Sequence, residues 1–236
     1  YEIRNCDWSS DVCSSDLLSR EQFQTYWFEK HAPLVASHAA TLGIVGYQQV
    51  HTVQEMRPTT VPCFDGVAEL WVDPSRRSAD RGALKAASQA LLDDERTFID
   101  HSQSPIWFAD EDLRLDGPKS GLRMTATLRR NPAISREQFR YHWRELHGPW
   151  ALRHPDIFGF SHYVQNHASA DADHNPLARE RNAPPAFDGV SEIYRVPATA
   201  SAEAIEAMRR QFHNDELHFL DIDRSPVFVG KVLTIS

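Results

Sequence analysis

The spacing of apolar residues along the chain switches repeatedly between the two-residue period of a strand and the 3.6-residue period of a helix. Between residues 122 and 129, apolar Leu, Met, Ala and Leu alternate with Arg and Thr, which predicts a strand with one buried face. Further on, Phe139, Trp143 and His147 recur at every fourth position and share one face of a predicted helix. Two further β-rich stretches, a second helix over 202–219 and a last strand over 227–232 follow. The pattern therefore predicts an α+β fold.

Local signals set where the first helix of this pattern begins and is disturbed. Ser135 and Gln138 have the spacing of a capping box, and Ile134 and Phe139 have the spacing of a hydrophobic staple. The same capping box and hydrophobic staple occur more than a hundred residues earlier in the chain, at 18–23. In each case a proline follows the predicted helix, and we expect it to disturb the helix there.

The chain contains an internal duplication. LSREQFQTYWFEKHAPL aligns with ISREQFRYHWRELHGPW at an offset of 116, and three more matches follow in the same order. The matched pairs are 18–34 with 134–150, 43–51 with 159–167, 64–71 with 187–194, and 95–108 with 216–229. Each copy reads as βαββαβ, a ferredoxin-like unit. The expected organisation is a first module at 18–117 and a second module at 118–236.

The first seventeen residues differ from the rest. DWSSDVCSSDL, at 7–17, resembles a translated sequencing primer, as occurs on gene fragments assembled from environmental DNA (a metagenomic fragment). We therefore interpret 1–17 as a non-native leader, with a Ser-rich exposed leader as the alternative. The opening strand of module 1 would fall at 6–13, so we expect this strand to be missing or replaced.

Composition and charge narrow the class of protein. Of 236 residues, 41% are hydrophobic, and 25 Lys and Arg stand against 33 Asp and Glu, a net charge of -8. Without a basic block, a nucleic-acid or anionic-membrane partner is not expected. No apolar run is long enough for a membrane span. Outside the leader, Cys63 is the one cysteine, which favours a reducing, cytoplasmic location.

The strongest candidates for chemistry are histidines and tyrosines that recur in both copies. His31 and His147 end the aromatic helix stripe that carries Trp27 and Trp143. On the following strand, one face carries a Tyr and a His four residues apart, which are Tyr47 with His51 and Tyr163 with His167. Such a pair could perform acid–base catalysis on a ligand in a common cavity. The alternative is that these residues are core or capping residues kept by the duplication.

The next strand of each copy begins with Phe-Asp-Gly and carries two carboxylates, the Asp of that motif and a Glu four residues later. They are Asp65, Glu69, Asp188 and Glu192. A carboxylate between apolar neighbours on a strand must be paired or reached by solvent. We therefore expect Glu69 and Glu192 either to line a cavity or to form a salt bridge with neighbours among Arg123, Thr125 and Arg129.

Motifs for metals and nucleotide cofactors are absent from the sequence. It contains no H-E-x-x-H, paired C-x-x-C, G-x-G-x-x-G or G-x-x-x-x-G-K-[ST] motif. We therefore predict neither a metal nor a cofactor.

Taken together, three motifs resemble the EthD domain family, within the dimeric α/β barrel superfamily. They are F-x3-W-x3-H-[AG]-P, G-x3-Y-x3-H and F-D-G-x-[AS]-E-[LI]-[WY], and they occur in tandem. The resemblance implies two ferredoxin-like modules packed as a pseudo-dimeric barrel within one chain. It also implies His31 and His147, the Tyr/His pairs, and Asp65 and Asp188 as family site positions. Relatives in the superfamily include cyclases, decarboxylases, cofactor-free monooxygenases and haem enzymes.

Three hypotheses about function remain open on the sequence. The first is a cofactor-free enzyme of the cyclase, decarboxylase or isomerase type, acting by His/Tyr acid–base chemistry on a small apolar aromatic or carbonyl compound inside the barrel. The second is an oxidoreductase or monooxygenase-associated role in ether or xenobiotic degradation, with haem as a minor alternative. The third is a non-catalytic binding barrel. The expected partner is a small molecule, and pairing into a homodimer is left open.

Overall fold

A computed structural model describes residues 3–10, 18–61 and 63–235. Module 1 contains β1 (Ile3–Ser10), α1 (Arg20–Tyr26), α2 (Ala32–Leu42), β2 (Ile44–Glu55), β3 (Phe64–Val72), α3 (Arg81–Glu95) and β4 (Ile106–Leu115). Module 2 contains β5 (Arg123–Leu128), α4 (Arg136–Tyr141), α5 (Gly148–Leu152), α6 (Pro155–Phe158), β6 (Phe160–Ala168), α7 (Pro176–Arg181), β7 (Gly189–Arg195), α8 (Ala202–Phe219) and β8 (Val227–Ile235). Short π-helices, Trp27–His31 and His142–His147, join α1 to α2 and α4 to α5.

The eight strands of the described chain form one closed antiparallel barrel. Their order is β1-β3-β2-β8-β5-β7-β6-β4, and β4 pairs with β1 to close the ring. Each module contributes four consecutive strands in the ferredoxin-like order 4-1-3-2. The modules meet at two seams, where β2 pairs with β8 and β4 pairs with β6. The predicted fold, two ferredoxin-like units in an intrachain barrel, is confirmed.

The place of the opening strand in module 1 is filled. The strand Ile3–Ser10 pairs with β3 and β4, as β5 pairs with β7 and β8 in module 2. Residues 3–10, part of the segment that we interpreted as a non-native leader, occupy this strand position, in agreement with the expectation that the opening strand is missing or replaced. Residues 11–17, which carry most of the primer-like run, lie outside the described part of the chain.

The capping boxes form as predicted, but the prolines do not end the first helix. The side chains of Ser19 and Ser135 accept hydrogen bonds from the third helical amide, and Gln22 and Gln138 return the contact. In module 1 the helix then passes through a π-turn and continues past Pro33 to Leu42. A proline clashes with the carbonyl four residues before it, and we infer that the wider π-turn relieves this clash.

The sheet separates two environments. Inside the barrel, Val50, Val67, Val190 and Phe228 from both modules form one apolar core with Trp107. On the outside, the helices of each module cover the opposite strand face and bury a separate apolar cluster. No helix in the described residues is long and apolar enough to cross a membrane.

A buried ion cluster crosses the barrel interior. Arg123 on β5 donates to both carboxylate oxygens of Glu69 at 2.7 and 2.8 Å and to Glu192 at 2.8 Å. Asn166 donates to the other oxygen of Glu192. Because β3 and β5 are not neighbours in the barrel, Glu69 and Arg123 meet through its interior and join the two modules. Glu69 and Glu192 therefore form the salt bridge that the sequence left as one alternative.

The Phe-Asp-Gly strands are explained by packing. At Gly66 and Gly189, an added Cβ would overlap the indole rings of Trp27 and Trp143, respectively. The glycines therefore let the helix that carries each Trp lie close to the sheet.

Candidate active site

Each module has a cavity between its helices and the outer face of the barrel. The cavity of module 1 measures about 210 Å³ and that of module 2 about 240 Å³. Both are lined mainly by apolar side chains, as expected of a small-molecule site, although both are smaller than a typical drug-sized pocket. We refer to them as cavity 1 and cavity 2. Neither cavity lies in the barrel interior, so the expectation that a small molecule binds inside the barrel is wrong for these two cavities.

A histidine at the wall of each cavity is held by an aspartate from the second helix. In cavity 1, Nδ1 of His31 lies 2.7 Å from a carboxylate oxygen of Asp94. In cavity 2, Nδ1 of His147 lies 2.7 Å from Asp215. The π-turns place both histidines in the middle of a continuous helix, where they are about 5–6% exposed.

The His147–Asp215 contact has a chemical consequence. Burial would raise the pKa of Asp215, but hydrogen bonds from His147 and His142 outweigh burial and lower it. An ionised carboxylate only accepts hydrogen bonds, so Nδ1 of His147 carries a hydrogen. In the neutral ring, Nε2 is then a proton acceptor, and among the described residues it has no hydrogen-bond partner. The contact therefore orients the His147 ring, with Nε2 as the nitrogen left to interact with a ligand in cavity 2.

The predicted tyrosines also reach the cavities. Tyr163 lines cavity 2, and its hydroxyl oxygen accepts hydrogen bonds from Trp143 Nε1 at 3.1 Å and Gln165 Nε2 at 2.7 Å. Complete burial raises the pKa of Tyr163 to about 12, so it stays a neutral hydrogen-bonding group at pH 7. Tyr47 lines cavity 1 and receives a hydrogen bond from Gln49 in the same way.

The strand histidines do not line either cavity. His167 lies 4.6 Å from the Trp143 ring, measured between ring centroids, and His51 stacks on Trp27 at 5.1 Å. Each contacts the glutamine two residues before it, at 3.2 and 2.9 Å. Burial, reinforced by nearby cations, lowers the pKa of His167 to about 3 and that of His51 to about 4. Both are thus neutral core histidines, which contradicts their expected place beside Tyr163 and Tyr47 in a cavity.

The four repeated carboxylates lie away from the cavities. Asp65 pairs with Arg20 at 2.8 Å, and Asp188 contacts Arg130 at 2.7 Å. Glu69 and Glu192 belong to the ion cluster inside the barrel. The expectation that they bind substrate in a common cavity with His147 is therefore not supported. Trp27 and Trp143 do line cavities 1 and 2.

A glutamate follows the aspartate on each second helix and lines the same cavity. Glu95 in cavity 1 makes a bidentate ion pair with Arg181 at 2.8 and 3.0 Å. In cavity 2, the corresponding Glu216 lies 3.8 Å from Arg57, beyond hydrogen-bond length. Each arginine belongs to the opposite module, so the modules complete each other's cavities.

The pKa values of the two glutamates shift in opposite directions. Burial would raise the pKa of Glu95, but His101 and Arg181 lower it to about 2. For Glu216, burial raises the pKa and the more distant Arg57 only partly opposes it. Glu95 is therefore held as an anion, whereas the Glu216 carboxyl takes up a proton more readily than a free carboxyl.

The Asp-Glu pairs and the arginines were not among the residues predicted from the sequence. The repeat match 95–108 with 216–229 begins at the glutamates, and extending it by one residue adds Asp94 and Asp215. That extension was the available signal. The arginines carry no such signal, because contacts between the modules are not periodic along the chain.

Metal binding has no support in the described residues. No group of three or more His, Cys, Asp or Glu side chains there is arranged to hold a metal ion.

The fold and the site together define a class of protein. It is a barrel of two ferredoxin-like units, each with a cavity under its helices and a histidine at the cavity wall. The EthD domain family matches residues 16–102 and 131–223, more than half of the chain. The chain belongs to the EthD family and carries its domain twice. No curated protein matches the chain significantly.

Solved structures of similar fold are distant in sequence. A provisionally named monooxygenase from Lactobacillus acidophilus is 9% identical, with 100% of this chain and 96% of that chain covered and a TM-score of 0.46. One from Fusobacterium nucleatum is 10% identical, with 98% and 93% covered and a TM-score of 0.49. A chlorite dismutase from Candidatus Nitrospira defluvii, solved with imidazole, is 12% identical, with 99% and 91% covered and a TM-score of 0.47. At these identities the likeness concerns the fold alone.

Proposed function

We propose that this EthD protein is an enzyme without a bound cofactor that moves a proton on a small, largely apolar carbonyl compound in cavity 2. The observation that carries the proposal is the pair of acid–base groups at one small apolar cavity. His147 is oriented by Asp215, and Glu216 follows Asp215 on the same helix.

The reaction needs two groups in opposite protonation states. Nε2 of neutral His147 would remove a proton from the carbon next to the carbonyl, and the bond electrons would move to the carbonyl oxygen. Protonated Glu216 would donate its proton to that oxygen and give an enol. The reverse transfers, with the proton returned to a different carbon, complete an isomerisation. Decarboxylation and cyclisation of related compounds pass through the same enolate.

Tyr163 supports binding rather than proton transfer. Its hydroxyl oxygen accepts two hydrogen bonds and also contacts Ser191, so its own hydrogen would have to turn toward a ligand oxygen to act as a donor. The raised pKa keeps that hydrogen in place at neutral pH.

Cavity 2 is the favoured site because the corresponding groups in cavity 1 are paired. Arg181 occupies both oxygens of Glu95 at hydrogen-bond distance, whereas Arg57 lies farther from Glu216. The volume of about 240 Å³ suits a small substrate better than a haem macrocycle.

The test follows proton exchange on carbon. The protein in D₂O is incubated with a panel of enolisable aryl ketones and lactones, and NMR measures deuterium incorporation next to the carbonyl. His147→Gln is expected to lower the rate by about 10²- to 10⁴-fold, the usual contribution of a general base. His31→Gln, the same change in cavity 1, is the matched control and should retain the rate.

Two results would contradict the proposal. Equal exchange by the wild type and His147→Gln would remove His147 from the reaction. Oxygen uptake with the same compounds, in place of exchange, would instead favour an oxygen-using oxidoreductase.

A further inference from the structure

Two arginines line cavity 2 at its solvent-exposed end. Arg195 is the last residue of β7, and Arg209 lies on α8. Arg195 donates to the backbone oxygen of Phe158 at 2.7 Å, and neither arginine has an acidic partner within the described residues. Burial, and then the charge of Arg209, lower the pKa of Arg195. Two like charges at one end of a cavity repel each other, and an anion bound there would relieve this repulsion.

Arg209 and Glu216 line cavity 2 from different heights along α8. Arg209 and Glu216 are seven residues apart on α8, which corresponds to about 10 Å along the helix axis. Aromatic rings fill the interval. Phe212 lies 4.2 Å from the His147 ring and 4.8 Å from the Phe158 ring, measured between centroids.

The duplication provides an internal comparison. When the strands and second helices of the two modules are aligned, Val72 stands in place of Arg195, and Ser88 stands in place of Arg209. Val72 and Ser88 both line cavity 1, so the positions are equivalent in space as well as in sequence. The shared fold therefore does not require an arginine at these two positions, although cavity 1 is lined by an arginine elsewhere, Arg77.

We propose that cavity 2 binds a compound with an aromatic or apolar body and one carboxylate, and that Arg195 and Arg209 hold this carboxylate. The planar guanidinium fork matches a carboxylate in a bidentate arrangement. The apolar body lies along Phe212 and Phe158, and its far end reaches His147. This inference deepens the proposed function by naming the substrate class, and it rests on that function only for the chemistry at His147.

Calorimetric titration of the full chain tests the proposal with matched probes. The probes are 2-naphthoate and its neutral counterpart 2-naphthamide. We expect the acid to bind at least about tenfold more tightly than the amide. Arg195→Val with Arg209→Ser, which copies cavity 1, should abolish this preference, whereas Arg195→Lys, which keeps the charge, should retain part of it.

A control variant distinguishes an effect of Arg195 and Arg209 from a general effect of positive charge on the protein. Arg210→Gln removes a neighbouring helix cation that already pairs with Glu206 at 3.2 Å, and it should leave the preference unchanged. Equal binding of acid and amide by the wild type would overturn the proposal, as would an unchanged preference in the double variant. Tighter binding of phenyl phosphate than of 2-naphthoate would overturn the assignment to a carboxylate.

The result is independent of turnover. His147→Gln should still prefer the acid over the amide, since the arginines remain. Binding without proton exchange would reject the proposed function alone, and proton exchange without a preference for the acid would reject only the carboxylate site.

Discussion

Replacing Arg123 by Met should destabilise the barrel strongly. The guanidinium makes three hydrogen bonds of 2.7–2.8 Å to Glu69 and Glu192, and all three side chains are buried. Loss of one partner from a buried ion pair typically costs about 3–5 kcal/mol. Because Arg123 serves two carboxylates that belong to different modules, we expect a loss near the upper end of that range.

The loss should depend on pH in a defined direction. At pH 8 both carboxyl groups are fully ionised in the unfolded chain, whereas the folded variant must bury them without their cation. As the pH falls, the folded variant takes up protons on these carboxyl groups before the unfolded chain does, which stabilises the folded state. The difference in the free energy of unfolding between wild type and Arg123→Met should therefore be smaller at pH 5 than at pH 8.

Urea denaturation followed by tryptophan fluorescence measures this difference. Arg123→Lys keeps the charge but loses the bidentate fork, so it should fall between the wild type and Arg123→Met. Arg210→Met, at an exposed pair with Glu206, is the control and should change stability by no more than about 0.5 kcal/mol. A loss below about 1 kcal/mol for Arg123→Met, or the same loss at both pH values, would refute the reasoning.

Three further predictions concern stability. The pKa values of His51 and His167 are lowered in the folded state, so as the pH falls the unfolded chain binds protons first, and stability should fall from about pH 6.5 toward pH 4. Urea denaturation midpoints measured across this range should show the fall, and the midpoints of His167→Asn should depend less on pH. Gly189→Ala forces a Cβ against an indole ring and should cost about 1–3 kcal/mol in urea denaturation, whereas an unchanged midpoint would contradict the packing argument. Arg181→Gln removes a bidentate partner from buried Glu95, so we expect a loss of about 3 kcal/mol and faster amide hydrogen exchange in α7. Unchanged exchange would contradict the expectation that this ion pair holds α7 against module 1.

Local elements were largely predictable because their signals are local. The capping boxes begin the helices at the expected residues, and the duplication shows that one unit occurs twice. The errors, in contrast, have tertiary causes. Pro33 was expected to disturb the helix, and only the π-turn, which packing against the sheet holds in place, lets it continue. The strand β4 runs to Leu115, well beyond the expected 106–108, because its polar half pairs with β6 of the other module.

The candidate site was only half predictable. His147 and Tyr163 were identified from their recurrence in both copies, and both line cavity 2. Asp215 and Glu216 were missed although the repeat reached Glu216. Arg57 could not have been found, because its place beside Glu216 depends on how a loop of one module crosses to the other.

The sequence by itself determined the elements, their order and their duplication, and thus two ferredoxin-like units in one chain. It did not determine which side of the sheet each repeated side chain faces, because that depends on the register between strands. With Gln48 opposite Glu69 and Tyr47 opposite Leu70, the carboxylates turn into the barrel and the tyrosines turn toward the helices. Tertiary structure alone therefore separated the ion cluster from the two cavities, and it alone brought arginines of each module to the glutamate of the other.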